Sequence, residues 1–283
     1  MAFKDILLVL ITYPEATNPS EVHEAISFAV SLDARISAAA CIVKVRAPHH
    51  ELSDAFIDIP VLVASEMKKS SDVAVELLAV FEASAKKAGV FQECLTKTCF
   101  TSEAPNLLVR EARLRDLTIV PAVLEGQNYR WYAESIVFGS GRPVVILPPR
   151  GRTPELPLDT IAIAWDGSRP AARAVADALP ILERASEVRV LTVLNEKELS
   201  SESEPPGTEL SKYLGRRGIA AKPKCIDAAG HPIGEVLSSY LTSNQADLLV
   251  MGAYGHSRVR EFILGGATLS MLSTPPLPIL LSH

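Results

Sequence analysis

Residues 247–268 read DLLVMGAYGHSRVREFILGGAT, and this stretch decides the fold class. The apolar run from Leu248 to Met251 stops at Gly252, as a short buried strand of a parallel sheet does. Nine residues separate Gly255 from Gly265, and a run that suits a helix follows. The order of strand, glycine-containing loop and helix is typical of α/β proteins, whose ligands bind at the carboxyl ends of parallel strands.

The glycines at the two ends of this loop suit a phosphate group. A residue without a Cβ lets backbone N–H groups approach an anion closely, and a helix N-terminus adds uncommitted donors. The alternative interpretation is that the glycines only make tight turns. The loop lacks the Gly-Lys-Ser/Thr of a Walker loop, and no GxGxxG fingerprint follows the first strand, so ATPase, kinase and dehydrogenase assignments lack their usual motif.

The same order of apolar runs and amphipathic helices occurs twice in the 283 residues. This alternation indicates βαβ units and a parallel sheet. A proline-rich run over residues 148–157 sustains neither a helix nor a sheet ladder, and it separates the two copies. We therefore predict an α/β protein with two tandem doubly wound domains of about five parallel strands each. The predicted domains are residues 1–148 and 158–283, joined by a linker over residues 149–157.

The last strands of the two copies and the helices before them align without a gap when Pro143 is placed on Pro278. Residues 141–147 parallel residues 276–281, and Asp116 aligns with Asp247 just before the preceding apolar run. The short apolar strands that end both copies would be exposed sheet edges if nothing covered them. We therefore expect the two last strands to pair with each other, as in an internal pseudo-dimer.

Composition excludes several classes of protein. With 48% hydrophobic and 22% charged residues the chain is globular, and its net charge of -5 offers no basic stripe for nucleic acid. The apolar run from Ile6 to Ile11 is far shorter than the roughly 20 residues of a membrane helix and lacks the flanks of a signal peptide, so we expect a cytoplasmic protein. The four cysteines show neither disulfide nor zinc spacing and are predicted to be small buried hydrophobes: Cys41, Cys94, Cys99 and Cys225.

The glycine spacing resembles that of the universal stress protein family. Gly252, Gly255 and Gly265 fall on its Gly-x2-Gly-x9-Gly pattern, residues 165–168 resemble its first strand and turn, and residues 191–193 resemble the end of its second strand. Weaker collinear similarity covers the first half, so the chain resembles the two-repeat form. The resemblance implies an adenine nucleotide alpha hydrolase-like fold with strand order 3-2-1-4-5 in each domain.

The resemblance also implies a ligand. ATP-binding members of the family hold adenine and ribose near the ends of the first two strands and the phosphates at the glycine loop. An adenine nucleotide such as ATP, ADP or AMP, with or without Mg²⁺, is therefore expected in the second domain of a stress-response module that acts through partner proteins, without dedicated catalysis. The residues implied to contact it are Ala164, Trp165, Asp166, Val193, Met251, Gly252, Gly255, Gly265, Gly266 and Ala267.

Several alternatives stay open from the residues themselves. Asp166 suits ribose hydroxyls but equally suits the start of a helix. Gly266 stands where nucleotide-binding relatives carry Ser or Thr, and one neutral hydrogen bond is worth only about 0.5–1.5 kcal/mol net. The rival hypotheses are an interaction module that binds no nucleotide, and a weak nucleotide phosphohydrolase with Asp166 and Glu261 as its nearest acids. No catalytic or metal-binding residues are predicted, and slow ATP hydrolysis is the most we expect.

The first half departs further from the family pattern. Its first strand ends at residues 11–14 without an Asp, and its loop is four residues shorter, with 27 positions from Asp116 to Pro143 against 31 from Asp247 to Pro278. We interpret it as a degenerate copy that serves packing, assembly or an unknown ligand.

Two further features of the sequence lead to structural expectations. Tyr129, Trp131 and Tyr132 are predicted to pack a helix beneath the degenerate loop rather than to form a stacking surface. Residues 51–72 and 195–209 are predicted to be irregular connections.

Overall fold

A computed structural model describes residues 2–45, 59–122, 128–148, 157–194, 204–253 and 266–283. Within these ranges, strands and helices alternate through both halves of the chain. No described helix combines the length and apolarity needed to cross a bilayer.

The first half contains five strands, with a short 3-10 turn at Thr101–Glu103. Its strands are β1 (Asp5–Leu10), β2 (Arg35–Lys44), β3 (Phe91–Phe100), β4 (Leu117–Pro121) and β5 (Val144–Leu147). Its described helices are α1 (Pro19–Ser31), α2 (Ile59–Lys87), α3 (Ala104–Ala112) and α4 (Asn128–Ser140). Helix α1 begins as its sequence predicts, because the Glu21 carboxylate accepts the backbone N–H of Asn18 at 2.8 Å.

The second half repeats this order. Its strands are β6 (Thr160–Ala164), β7 (Glu187–Leu194), β8 (Ala221–Asp227), β9 (Leu248–Gly252) and β10 (Ile279–Ser282). Its described helices are α5 (Arg169–Leu182), α6 (Thr208–Gly215), α7 (Ile233–Ser243) and α8 (Gly266–Ser273). Residues 149–156 of the predicted linker lie outside the described residues, and the division into domains 1–148 and 158–283 remains our proposal.

All ten strands form one sheet in the order β3-β2-β1-β4-β5-β10-β9-β6-β7-β8. Neighbouring strands within each half are parallel, so each half has the predicted order 3-2-1-4-5. The halves meet where β5 and β10 pair antiparallel, with Val145 opposite Leu280. This pairing confirms that the two last strands cover each other's edges.

The duplication is visible in individual hydrogen bonds. One Asp116 carboxylate oxygen accepts the backbone N–H groups of Lys4 and Asp5 at 2.8 and 3.1 Å. One Asp247 oxygen accepts those of Asp159 and Thr160 at 3.1 and 2.8 Å. Each aspartate thus joins the start of its fourth strand to the start of the first, which supports the alignment of Asp116 with Asp247.

The core lies on both faces of the sheet. One apolar cluster joins the sheet to α1, α2, α5 and α6, and the other joins it to α3, α4, α7 and α8. Both clusters contain residues of both halves, as expected for parallel strands that are buried on two faces. The arrangement has three layers, with the sheet between two layers of helices.

Two expectations from the sequence need correction. Residues 59–72 belong to α2 and are not an irregular connection, and residues 208–209 open α6. The four cysteines are free thiols, but only Cys41 and Cys99 are buried, whereas Cys94 and Cys225 are partly exposed. Cys94 and Cys225 lie on β3 and β8, the outer strands of the described sheet, although Cys99 of β3 is buried.

Candidate functional site

A cavity of about 640 Å³ opens at the carboxyl ends of β6, β7 and β9 in the second half. This is the edge at which open parallel sheets bind ligands. Seven of the ten predicted site residues line it: Ala164, Trp165, Asp166, Val193, Met251, Gly252 and Ala267. They meet because parallel strands bring their carboxyl ends to one edge of the sheet.

The other three predicted residues are not among the described residues that line the cavity. Gly255 and Gly265 lie outside the described residues, as do His256, Arg258 and Glu261 of the same segment. Gly266 is the first residue of α8 and is exposed, and a Cβ built on it would meet no described atom within 4 Å. A contact between these residues and a ligand therefore stays a prediction.

Several residues of the cavity wall were not predicted from the sequence. Thr192 lies on β7, and the others come from the connections after β7 and β8 and from α7, including Pro206, Gly207, Ala228, Ile233 and Leu237. The Ile233 side chain is 48% exposed, so an apolar surface is available to a ligand. No local pattern in the sequence indicated that the helix after β8 would face the cavity.

Asp166 has a demonstrable role in the turn that starts α5. Its Oδ1 accepts the backbone N–H of Ser168 at 2.9 Å, and the Ser168 hydroxyl accepts the N–H of Ala171 at 3.2 Å. Ser168 is therefore the cap of the helix and Asp166 shapes the turn before it. The Asp166 side chain is exposed at the cavity mouth, and its contact with a ribose remains a prediction.

Gly252 ends β9 against the first turn of α5. A Cβ at this position would lie 2.4 Å from the Ala171 nitrogen and 2.5 Å from the Pro170 carbonyl carbon. Both atoms belong to the backbone and cannot rotate away. The absence of a side chain is thus required for close packing of strand and helix, whatever the cavity holds.

A second close approach sets the position of α8. Gly234 of α7 packs against Ser270 of α8, where a Cβ on Gly234 would lie 2.5 Å from the Ser270 Cβ. Ala267, one turn before Ser270, lines the cavity. The contact between the two helices therefore fixes one wall of the site.

Replacing Gly234 by alanine should displace α8 and lower the free energy of unfolding by about 1–3 kcal/mol, the usual cost of overpacking. Because the obstruction is the Ser270 Cβ, Ser270→Gly in the same chain should relieve part of that loss. Chemical denaturation of the parent, both single variants and the double variant measures this coupling. Strictly additive losses would contradict the proposed contact.

The corresponding edge of the first half is closed by its own side chains. The Thr12 hydroxyl donates to the Cys41 carbonyl at 2.6 Å and lies 2.8 Å from the Ser70 hydroxyl, which accepts the Val43 N–H at 2.9 Å. Ser70 is fully buried and comes from α2. Helix α2 thus covers the carboxyl ends of β1 and β2, in agreement with our interpretation of a degenerate copy.

Comparisons with known proteins agree with this architecture. The family model described as the universal stress protein family matches residues 157–283. A universal stress protein of Synechocystis sp. is 35% identical over 69 residues, which cover 24% of this chain. That match spans 23% of the relative's own length.

Solved structures extend the likeness to both halves. A universal stress protein from Archaeoglobus fulgidus has 17% identity and a TM-score of 0.70, with 98% of this chain and 96% of that chain covered. A functionally unknown protein from Pseudomonas aeruginosa has 14% identity and a TM-score of 0.57, with 99% and 92% covered. At such identities the likeness establishes the fold. The family model thus places residues 157–283 in the universal stress protein family, and the repeated strand order with the full-length structural likeness shows that the first half has the same fold.

Proposed function

We propose that the cavity of the second half binds an adenine nucleotide and that the chain is a nucleotide-responsive regulatory module of the stress response, without dedicated catalysis. The main support for this proposal is the cavity at the carboxyl ends of β6, β7 and β9, which the first turn of α8 bounds. Its volume of about 640 Å³ lies in the range of about 300–1,000 Å³ that is typical of small-molecule sites.

The wall suits a base and a sugar near β7 and phosphates near α8. Trp165, Val193 and Ile233 supply apolar surface, whereas the N-terminus of α8 supplies backbone donors and the positive end of a helix dipole. We propose that Gly255, Gly265 and Gly266 complete the phosphate side.

The chemistry of the wall favours binding over hydrolysis. Among the described residues that line the cavity, Asp166 is the one with an ionisable side chain, and its Oδ1 already accepts the Ser168 N–H. A phosphohydrolase needs a base and a means to hold a metal ion. Mg²⁺ brought by the nucleotide would meet one described carboxylate and otherwise phosphate oxygens and water, a coordination this ion accepts.

Titration calorimetry with ATP, ADP and AMP, each with and without Mg²⁺, tests the proposal directly. Phosphate release from ATP in the same samples tests turnover. Saturable binding of an adenine nucleotide with no enzyme-dependent release is the expected result. Absence of binding would favour the interaction module, and sustained release would favour the phosphohydrolase.

Replacing Gly266 by serine should raise nucleotide affinity about 2- to 12-fold, the equivalent of one neutral hydrogen bond of about 0.5–1.5 kcal/mol. Position 266 has room for a side chain as far as the described residues show, since a Cβ there meets none of them within 4 Å and the residue opens a helix. Gly266→Ala is the matched control because it adds the Cβ without the hydroxyl. Equal affinities of the serine and alanine variants would contradict a phosphate contact at this position.

A further inference from the structure

Helix α4 of the first half reaches the cavity wall of the second half. Tyr129 is fully buried, and its hydroxyl donates to the backbone carbonyl of Leu272 in α8, 143 positions along the chain. Burial raises the pKa of Tyr129 to about 12, so the hydroxyl keeps its proton and remains a donor at neutral pH. Leu272 lies in the same short helix as Ala267, which lines the cavity.

Helix α4 also contacts His283, which adjoins the end of β9. The Phe138 ring meets the His283 ring edge to face, with centroids 4.8 Å apart. His283 Nδ1 lies 3.0 Å from the Ala253 carbonyl oxygen, and the Ala253 N–H donates to the Ser282 carbonyl at 2.8 Å. Ala253 directly follows Gly252 of the cavity wall, so Phe138 supports the end of β9 through His283.

The described residues at the equivalent edge of the first half are arranged differently. There, Thr12 and Ser70 fill the space at the ends of β1 and β2 with their own hydrogen bonds. Helix α4 therefore contacts α8 and His283, which adjoin residues of the cavity wall in the other half, whereas in its own half Ser70 of α2 lies against Thr12 at the equivalent edge.

We propose that Tyr129 and Phe138 are positioning residues for the nucleotide site of the second half, and that the first half has become its scaffold. Tyr129 holds α8, and Phe138 holds the end of β9 through His283. This inference rests on the proposed function. If nucleotide binding requires both walls in place, binding and the contact between halves must strengthen each other, because coupling free energies are reciprocal.

The test compares two variants, each of which loses one tyrosine hydroxyl from α4. Tyr129→Phe removes the donor to Leu272. Tyr132→Phe is the matched control, since Tyr132 is 4% exposed and packs beside Cys41 and Cys99 within the first half. ADP affinity is measured by calorimetry, and thermal stability without ligand is measured on the same samples.

We expect Tyr129→Phe to weaken ADP binding about 2- to 30-fold, the range of mutations that alter coupling between sites. Tyr132→Phe should leave the affinity unchanged, even if both variants unfold at lower temperature. ADP should also slow amide hydrogen exchange of α4 in the parent and to a smaller extent in Tyr129→Phe, which a merely structural role would not produce. Phe138→Leu, at a side chain that is 49% exposed, is the second variant and should also weaken ADP binding.

The outcomes separate this inference from the proposed function. A parent protein that binds no adenine nucleotide would overturn both. A parent that binds ADP, with Tyr129→Phe and Phe138→Leu binding equally well, would overturn the scaffold role alone. The scaffold role alone would also be overturned if Tyr129→Phe does not fold and Phe138→Leu binds ADP like the parent.

Discussion

Gly252→Ala should abolish nucleotide binding and lower the free energy of unfolding by about 3 kcal/mol, the upper part of the usual range for overpacking. The added Cβ would lie 2.4 Å from the Ala171 nitrogen and 2.5 Å from the Pro170 carbonyl carbon. Because these are backbone atoms of a capped helix, the strand and helix must separate, and the cavity wall moves with them. Chemical denaturation and ADP calorimetry of the variant measure the two effects.

Gly215→Ala is the control for this experiment, since a Cβ there meets none of the residues that the structure describes within 4 Å and the residue lies in helix α6. It should be neutral or slightly stabilising. A Gly252→Ala protein with parental stability and affinity would contradict the close packing of β9 on α5. Loss of binding at this position does not by itself demonstrate a phosphate contact, and for that question the Gly266 variants are the sharper test.

Leu280→Ala should lower the free energy of unfolding by about 2–5 kcal/mol, as other fully buried Leu to Ala changes do. Leu280 is completely buried in β10, opposite Val145 of the first half and Val250 of the second. A cavity at this place removes packing from both halves at once. The unfolding of each half can be followed with its own tryptophan, since Trp131 lies in the first half and Trp165 in the second.

With Leu280→Ala, the unfolding midpoints reported by both tryptophans should fall together. Leu214→Ala is the control, because Leu214 is equally buried but belongs to α6, which packs against β8, the outer strand of the second half. Its effect on the Trp131 signal should be the smaller of the two. An unchanged Trp131 midpoint in Leu280→Ala would show that the halves do not depend on the β5–β10 junction.

Much of the fold was predictable because its signals are local. Apolar runs and caps such as Asn18 and Ser168 act within a few residues, and the repeated alternation indicated parallel strands before any contact was known. Seven predicted site residues line one cavity because strand ends can be located in a sequence and parallel strands end at one edge. The resemblance to the family supplied the strand order, which periodicity alone does not.

The missed features all depend on distant parts of the chain. The connection expected at residues 59–72 is instead part of a helix, α2, which buries Ser70 over β1 and β2. Gly207 and Ile233 line the cavity because the connections after β7 and β8 turn toward it. No sequence pattern records where a helix will lie on a sheet, since that position follows from the packing of many side chains at once.

Short-range periodicity and chain order are enough to predict the α/β class and the duplication. They also locate the edge of the sheet that carries the cavity and the glycines near it. Three contacts could be found only in the folded molecule. The backbone of α5 leaves no room for a side chain at Gly252, the Thr12 and Ser70 hydroxyls meet at the end of β1, and the Tyr129 hydroxyl donates to the Leu272 carbonyl. Each of these contacts joins residues at least 58 positions apart, so it exists only after both faces of the sheet are packed.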